Sequence, residues 1–535
     1  MKTLGTISPT REAFLAMAAT RRVIPVTMSV LADSLTPIGL YRTLAAGRPG
    51  TFLMESAAAG GVWSRYSFIG VNSAATLSTR DGAAYWQGNA PAGLPTGGVG
   101  VHVLRDTVRA LHTEPIPGMP PLTGGMVGFL GWDCVRHWEK LPNPPADDLN
   151  LPELSMNLVE DMAVHDATEG TVTLIANAIN FDGSDERVEA AYDAAVARLH
   201  QMLDQLCVPL DAAATVLRGT EVPRDTLMSS VSHSWEENEY LQALAKSKTA
   251  ILDGEVFQIV VSRRFELETD ADALDVYRVL RATNPSPYMY LFNFLNEDGE
   301  PFEIVGSSPE ALVTVNDSHV VTHPIAGSRP RGANYEEDQL HEKSLVNDEK
   351  ERAEHLMLVD LSRNDLSRVC QAGSVEVTQF MEVERFSHIM HLVSNVVGKA
   401  REDVDAYDVL AATFPAGTLS GAPKPRALAL LDEYEPYRRG IYGGVVGYLD
   451  FAGDMDMAIA IRSALLKGGR AYVQAGGGIV NDSKFADEAL ETVNKAAAPL
   501  RAVWAAQSMR AVWAAQSMRA AQTATSQIAT SQEDK

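Results

Sequence analysis

Cysteine is scarce in this chain: Cys134, Cys207 and Cys370 are the only three in 535 residues, far apart and in no metal-binding spacing. A disulfide framework and a thiolate zinc site are both excluded, and a reducing compartment fits. Positive charge is also in short supply. The formal net charge is −24 at pH 7, which leaves no general basic surface for nucleic acid or an anionic membrane. No run of about 18 apolar residues occurs anywhere. Nothing after Met1 and Lys2 has the pattern of a secretory leader, so a cytoplasmic protein is expected. A phosphate-loop reading of GTLSGAPK (417–424) fails on spacing: Lys424 is three residues past Gly421, and no Ser or Thr follows it. An anionic substrate would have to be drawn in by local charge, a metal ion or backbone amides.

What is present is enough apolar residue, 46%, for a substantial core. The length fits roughly three domains or one large interleaved unit. Residues 1–20 read as a loose lead-in. Residues 21–206 read as an N-terminal region, with strands around Thr51–Gly70 and at Thr171–Ile179, then a helix at Asp185–Leu206. Gly124 and Gly125 mark a close backbone approach or a bulge. Residues 207–233 are polar and aperiodic, a linker. Residues 234–500 form the second region. It opens on a helix expected to start at a Ser234–Glu237 capping box and to stop at Gly254. Residues 501–535 form a tail in which RAVWAAQSM occurs twice in tandem, a helix extension or a slippage product, followed by a Ser/Thr/Gln-rich end read as disordered.

The second region is organised around NDEKERAEHLMLVDLSRNDLSRV, residues 347–369. Asn347 and Asp348 can cap a helix, and no Gly or Pro interrupts the rest of the stretch. On that helix Glu351 and Glu354 share a face, with His355 beside them. Such a pair is either a solvated face or half of a site for a hard cation. Glu488 and Glu491 repeat the spacing on a later helix, and two facing pairs would supply carboxylates for Mg²⁺. Gly-rich segments at IAGSRPRG, FPAGTLSGAPKPRA, IYGGVVGYL and VQAGGGIV break strand-like runs and can bring backbone N–H groups to an anion. In DMDMAIAIRSALL, alternation places Asp456, Ala458, Ala460 and Arg462 on one face. Arg462 is then either a bidentate grip on a carboxylate or a surface ion pair at a strand end. Gln258 falls in the middle of an apolar strand, where a satisfied core amide is the plain alternative to a functional one.

From Val23 to Ala498 the chain resembles the large subunit (component I) of anthranilate synthase, among the chorismate-utilising enzymes. The carriers are DEKERAEHLMLVDLSRND, RFSHIMHLVSNVVG, PAGTLSGAPKPRA, YGGVVGY, and AGGGIVNDS followed by ETVNKAA. The resemblance implies an α+β fold of two packed antiparallel sheets with outer helices, the N-terminal part packing on the catalytic part. It implies Mg²⁺-dependent amination of chorismate by ammonia at C2 with loss of pyruvate, the lyase step that commits chorismate to tryptophan biosynthesis. By resemblance Glu351, Glu354, Glu488 and Glu491 serve Mg²⁺. Arg462 and Tyr442 grip the pyruvyl carboxylate with the backbone of Gly476, Gly477 and Gly478, and Thr418 lies in the same pocket. Glu310 is the acid that protonates the departing C4 hydroxyl, and His391 serves pyruvate elimination, while His388 is structural. A carboxylic acid suits a poor leaving group, and an imidazole, with an ordinary pKa of about 6.5, suits proton uptake.

Two positions separate the relatives. Where isochorismate and salicylate synthases carry a water-activating Lys, this chain has Gln258, which favours ammonia as nucleophile. Where aminodeoxychorismate synthases, the chief alternative, carry a ring-attacking Lys, the motif here reads Pro324, Ile325, Ala326, Gly327. A non-catalytic amino-acid sensor is the remaining alternative. Departures from the family pattern are Ser328, Phe485 and Ala489. Glu55 and Ser56, with Asn284, Pro285, Ser286, Pro287, Tyr288 and Met289, match the family's tryptophan feedback site, though NPSPYM also reads as a rigid turn. No cysteine sits on the Gly-flanked turn a glutaminase needs, and the residues after Ala498 are too few for such a domain. A separate amidotransferase subunit (component II) is the expected partner and ammonia source.

Overall fold

The computed structural model describes residues 4–57, 65–184, 186–209, 222–385 and 389–508. Among them the strands pair antiparallel. Two long neighbours, Tyr66–Arg80 and Leu154–Asp166, lie at the centre. The far edge of Leu154–Asp166 is divided. Its first residues, through Leu158, pair with Gly125–Leu130, and those from Asp161 onward pair with Thr171–Ile179. Opposite that fork, Tyr66–Arg80 slips register between Gly70 and Ala75. Such bulges bend and twist a strand, and here they let one strand pair serve two diverging sheets. The expected two-sheet α+β architecture is present, with the sheets joined through this pair.

One sheet continues through Gly125–Leu130, Val445–Asp450, Met455–Ile459, Ala311–Asn316, His319–Thr322 and Ile389–Lys399. The other continues through Phe52–Glu55, Tyr288–Leu295, Pro301–Ser308, Ser463–Lys467, Arg470–Ile479 and Gln258–Glu268. Strands from both contribute to one aromatic cluster that includes Phe52, Phe68, Phe129, Phe292, Phe294 and Phe302. Burying each such ring is worth roughly 1.5–3 kcal/mol. The N-terminal region thus supplies strands to both sheets. Its Leu53 and Ile69 share a second core with Val276, Leu280 and Val305.

Local expectations fare well where the signal is local. Gly254, at φ +79°, ends the helix Glu237–Leu252. The strand Thr171–Ile179 has its expected bounds, and the helix before the linker runs Val188–Leu206. A Cβ on Gly125 would sit 2.2 Å from the Leu449 carbonyl oxygen, the close approach its position suggested. Several details need correction. The capping box is Glu236–Glu239, while Ser234, two residues earlier, accepts through its Oγ from the Arg264 amide. The lead-in is ordered: Ile7–Ser8 pairs with Thr27–Met28, and the helix Arg11–Ala18, capped by Thr10, buries Phe14 against Tyr192. The expected tail boundary falls inside a helix described over 485–508, where Ala502, Val503, Ala505 and Ala506 have no exposed surface. The first RAVWAAQSM copy is therefore, through Ser508, a core-packed helix extension. The second copy, His388 and residues 210–221 of the expected linker lie outside the described residues. The rest of the linker is not aperiodic: it holds the helix Arg224–Met228 and the strand Ser232–His233, which pairs with Phe265 and Glu266. No described helix is long and apolar enough to cross a membrane.

Candidate active site

The helix Glu349–Ser367 begins as its sequence predicts: Asp348 Oδ1 accepts from the Lys350 and Glu351 amides at 3.0 and 3.1 Å. Asn347 instead closes the preceding helix. Glu351 accepts a hydrogen bond from Arg329 at 3.1 Å, and Glu354 lies 3.7 Å from Lys350. His355 departs from the pair. It is fully buried against Ser394 Oγ, 2.7 Å away, and burial with the charge of His323 lowers its pKa to about 4.

The helix over 485–508 carries the second pair. Glu491 is ion-paired with Lys495 at 2.7 Å. Burial raises the Glu354 carboxyl, and so do the charges of Glu351 and Glu488. Burial and the Glu491 charge raise Glu488, which also feels Lys350 on the other helix. Among the described residues no three His, Cys, Asp or Glu side chains close into a metal cage. The four expected ligands therefore stand as two interacting pairs, with Arg329, Lys350 and Lys495 balancing their charge. Carboxylates that repel one another and consist only of hard oxygen donors fit a magnesium ion.

Beside Glu488 runs the strand Arg470–Ile479, whose glycines are required sterically. A Cβ on Gly476 would sit 2.9 Å from Tyr442 Oη, on Gly477 3.1 Å from Glu488 Oε2, and on Gly478 2.6 Å from Gln258 Nε2. Three polar side chains thus press on three successive glycines. Burial, moderated by Arg439 and Arg462, pushes the Tyr442 phenol up to about 12. Gln258 is the first residue of its strand and not its middle, and its Oε1 is a buried acceptor without a hydrogen-bond partner among the described residues.

Glu310 follows the strand Pro301–Ser308. Its carbonyl accepts from the Ile459 amide at 3.0 Å, and its Oε2 accepts from Thr418 Oγ1 at 3.2 Å. Burial raises the Glu310 carboxyl, opposed by Lys495, Thr418, Arg462 and His323. His391 lies on Ile389–Lys399 opposite Ser328 and Glu384. Its register partner strand slips between Ala326 and Ser328, because Gly327 adopts φ +69°. That bulge turns the Gly327 carbonyl toward the ring, 2.9 Å from His391 Nδ1. A carbonyl can only accept, so Nδ1 carries the proton and Nε2 is the basic nitrogen. Burial lowers the His391 pKa, as do Arg462 and Lys495.

Arg462 needs a further correction. The strand carrying Asp456 ends at Ile459, and Arg462 has φ +53°, so the two do not share a face. Arg462 donates to the Lys495 carbonyl at 2.8 Å and feels Glu310, Tyr442 and Glu491. Asp456 instead lines an apolar cavity with Glu55, Ser56, Pro287, Tyr288 and Met289. Glu55 is tied to Arg281 at 2.6 Å. Asn284 and Ser286 lie just behind, both bonded to Ser307 Oγ, and Pro285 joins them in the turn. Of the departures, Phe485 lies under Lys248, and the Ala489 carbonyl accepts from Arg263 at 2.9 Å.

Sequence reasoning missed Lys495, whose Nζ donates to the Gly476 carbonyl at 3.0 Å, and His323, which shares a cavity with Glu310 and Thr418. Lys495 was findable, one helical turn past Glu491. His323 sits directly before the Pro324–Gly327 motif, but its cavity is made by distant segments.

Known proteins share this arrangement's sequence and fold. Residues 52–501 match the family described as chorismate binding enzyme. Anthranilate synthase component 1 of Arthrobacter globiformis is 66% identical over 508 residues, covering 95% of each chain. That of Mycolicibacterium smegmatis is 56% identical, covering 93% of this chain and 94% of the relative. The crystal structure of anthranilate synthase component I from Streptococcus pneumoniae superimposes with a TM-score of 0.70 at 33% identity, over 88% of this chain and 99% of that one. A menaquinone-specific isochorismate synthase from Escherichia coli, at 18% identity and a TM-score of 0.66, shares the fold. With its glutamate pairs, glycine strand and Glu310–Thr418 contact, this chain belongs to the chorismate-binding enzyme family.

Proposed function

We propose that this chain acts as an anthranilate synthase large subunit, converting chorismate and ammonia to anthranilate and pyruvate. The observation that carries the reading is the separation of a buried acid, Glu310, from an imidazole, His391, whose proton is fixed on Nδ1. Raised by burial, Glu310 is suited to deliver a proton to the departing C4 hydroxyl, which leaves as water. Nε2 of His391 is suited to take the ring proton as pyruvate leaves. Arg462 and Tyr442, beside Gly476–Gly478, hold the pyruvyl carboxylate. Glu351, Glu354, Glu488 and Glu491 would hold Mg²⁺, which supplies charge neutralisation for an anionic substrate. Ala326 offers no amine to attack the ring, which favours this reading over an aminodeoxychorismate synthase.

Glu55, Ser56, Asn284, Pro285, Ser286, Pro287, Tyr288 and Met289 are read as the inhibitory tryptophan site, five of them lining one cavity. Ammonia would come from an amidotransferase partner. Cys134 and Cys370 are buried with thiols pushed up by burial, the reverse of an activated nucleophile. Three unpaired cysteines fit a cytoplasmic setting. The test incubates purified chain with chorismate and Mg²⁺, giving ammonium in one arm and glutamine in the other. Anthranilate fluorescence with ammonium alone is expected. Isochorismate, aminodeoxychorismate or no product in the ammonium arm would reject the reading, and product from glutamine would reject the partner.

A further inference from the structure

His323 follows the strand His319–Thr322 and lines one cavity with Glu310 and Thr418, yet neither proton transfer proposed for Glu310 and His391 uses it. Its orientation is determined by a chain of polar contacts. Asn395 Nδ2 donates to Gln379 Oε1 at 2.6 Å, which leaves Asn395 Oδ1 to accept from His323 Nδ1. The other ring nitrogen, Nε2, lies 3.7 Å from Glu384 Oε1. The His323 side chain is 26% exposed and that of Glu384 40%, so Glu384 reaches solvent while the imidazole forms part of the cavity wall.

We infer that His323, held as a cation by Glu384, is a positioning residue for Glu310: its charge lowers the cost of the carboxylate that Glu310 becomes on giving up its proton. The inference rests on the reading of Glu310 as the acid. In that step the Glu310 O–H bond breaks and the carboxylate keeps the electron pair. The proton joins the departing C4 hydroxyl as water. A buried carboxylate is a poor product of proton transfer; Lys495 and Arg462 offset part of that cost, and a cation in the same cavity adds to them.

The surroundings of His323 favour the charged ring. Burial alone would lower its pKa, but Glu384 and Asn395 raise it, and Glu310 raises it further once ionised. His323 in turn depresses Glu384 and His355, each in the sense a cation requires. The other ionisable groups around it are His391 on Ile389–Lys399, Asp365 on Glu349–Ser367 with its partner Lys424, and Arg462 and Lys495 beyond Glu310.

The test is a kcat–pH profile with ammonium for wild type, His323→Gln, His323→Arg, Glu384→Gln and Glu310→Gln. His323→Gln should lower kcat about tenfold, the effect of roughly one unit of acid strength, with the KM for chorismate unchanged. His323→Arg, a cation at every pH, should restore kcat and remove the part of the alkaline decline due to imidazole deprotonation. Glu384→Gln should move that decline to lower pH. Wild-type kcat and profile in His323→Gln, or a His323→Arg variant no better than His323→Gln, would overturn the inference. Full turnover by Glu310→Gln would instead overturn the reading of Glu310 beneath it.

Discussion

Thr418 Oγ1 donates a hydrogen bond to Glu310 Oε2 at 3.2 Å, joining two loops that are 108 residues apart in sequence. The bond favours the ionised carboxyl and so opposes the burial that raises it. Thr418→Val should leave Glu310 a weaker acid. A hydrogen bond to a charged group is worth roughly 1.5–3 kcal/mol, so kcat should fall about tenfold or more, with the alkaline limb moved to higher pH. A kcat–pH profile checks this, and an unchanged profile would detach Thr418 from the acid.

Glu354→Gln should separate activity from stability. The variant removes one charge from the proposed magnesium site, so the Mg²⁺ concentration for half-maximal rate should rise at least about tenfold. The Glu354 carboxyl is raised by burial and its acidic neighbours. Its contribution to stability is therefore present at low pH and lost as pH rises through the folded value. Glutamine removes that loss, and the urea midpoint at pH 8 should not fall. Wild-type rates at ordinary Mg²⁺ would remove Glu354 from the metal site.

Asp456 should dominate a pH effect on folding. Burial pushes its carboxyl up to about 7, against a hydrogen bond with Tyr288 that lowers it. The fold binds this proton more tightly than the unfolded chain does. The associated stability is full below about pH 4 and lost as pH rises through 7, a span of about 4 kcal/mol. Urea unfolding at pH 5 and pH 8 should show a smaller loss in Asp456→Asn than in wild type. Asp450, raised to about 6, adds a similar slope to both proteins. Equal losses would mean that Asp456 is not the titrating group.

Ser56 lines the same cavity as Asp456. If tryptophan binds there and disfavours the active arrangement, chorismate and tryptophan must weaken each other's binding by the same factor. Ser56→Phe should fill the cavity and release inhibition with little change in kcat. Wild-type activity indifferent to millimolar tryptophan would leave the cavity without this role.

The parts of this architecture legible in the sequence are those written locally. Asp348 at the start of a helix, Gly254 at the end of one, and the i, i+3 spacing of the glutamates depend on residues within a turn of each other. The Ser234 departure is of the same local kind, since Glu236–Glu239 satisfies the amides equally and hydrogen bonds with the Arg264 backbone claim Ser234. Alternation failed at Arg462 because the strand ends three residues before it, a boundary set by pairing with Val445. The bulge at Gly327 and the cavity around His323 come from strands distant in sequence, and no local pattern announces them. Nor does anything within the first tail repeat show that its alanines pack into a core shared with distant strands.

The division of proton work between Glu310 and His391 is tested most directly by rapid-quench analysis of His391→Gln with chorismate, Mg²⁺ and ammonium. Glu310 and the glutamate pairs remain intact in this variant, so chorismate should still be consumed. The product should carry the new amine and retain its enolpyruvyl side chain, with little anthranilate formed. Chorismate consumption that falls in step with anthranilate formation, with no aminated intermediate in the quench, would contradict the assignment of separate steps to the two residues.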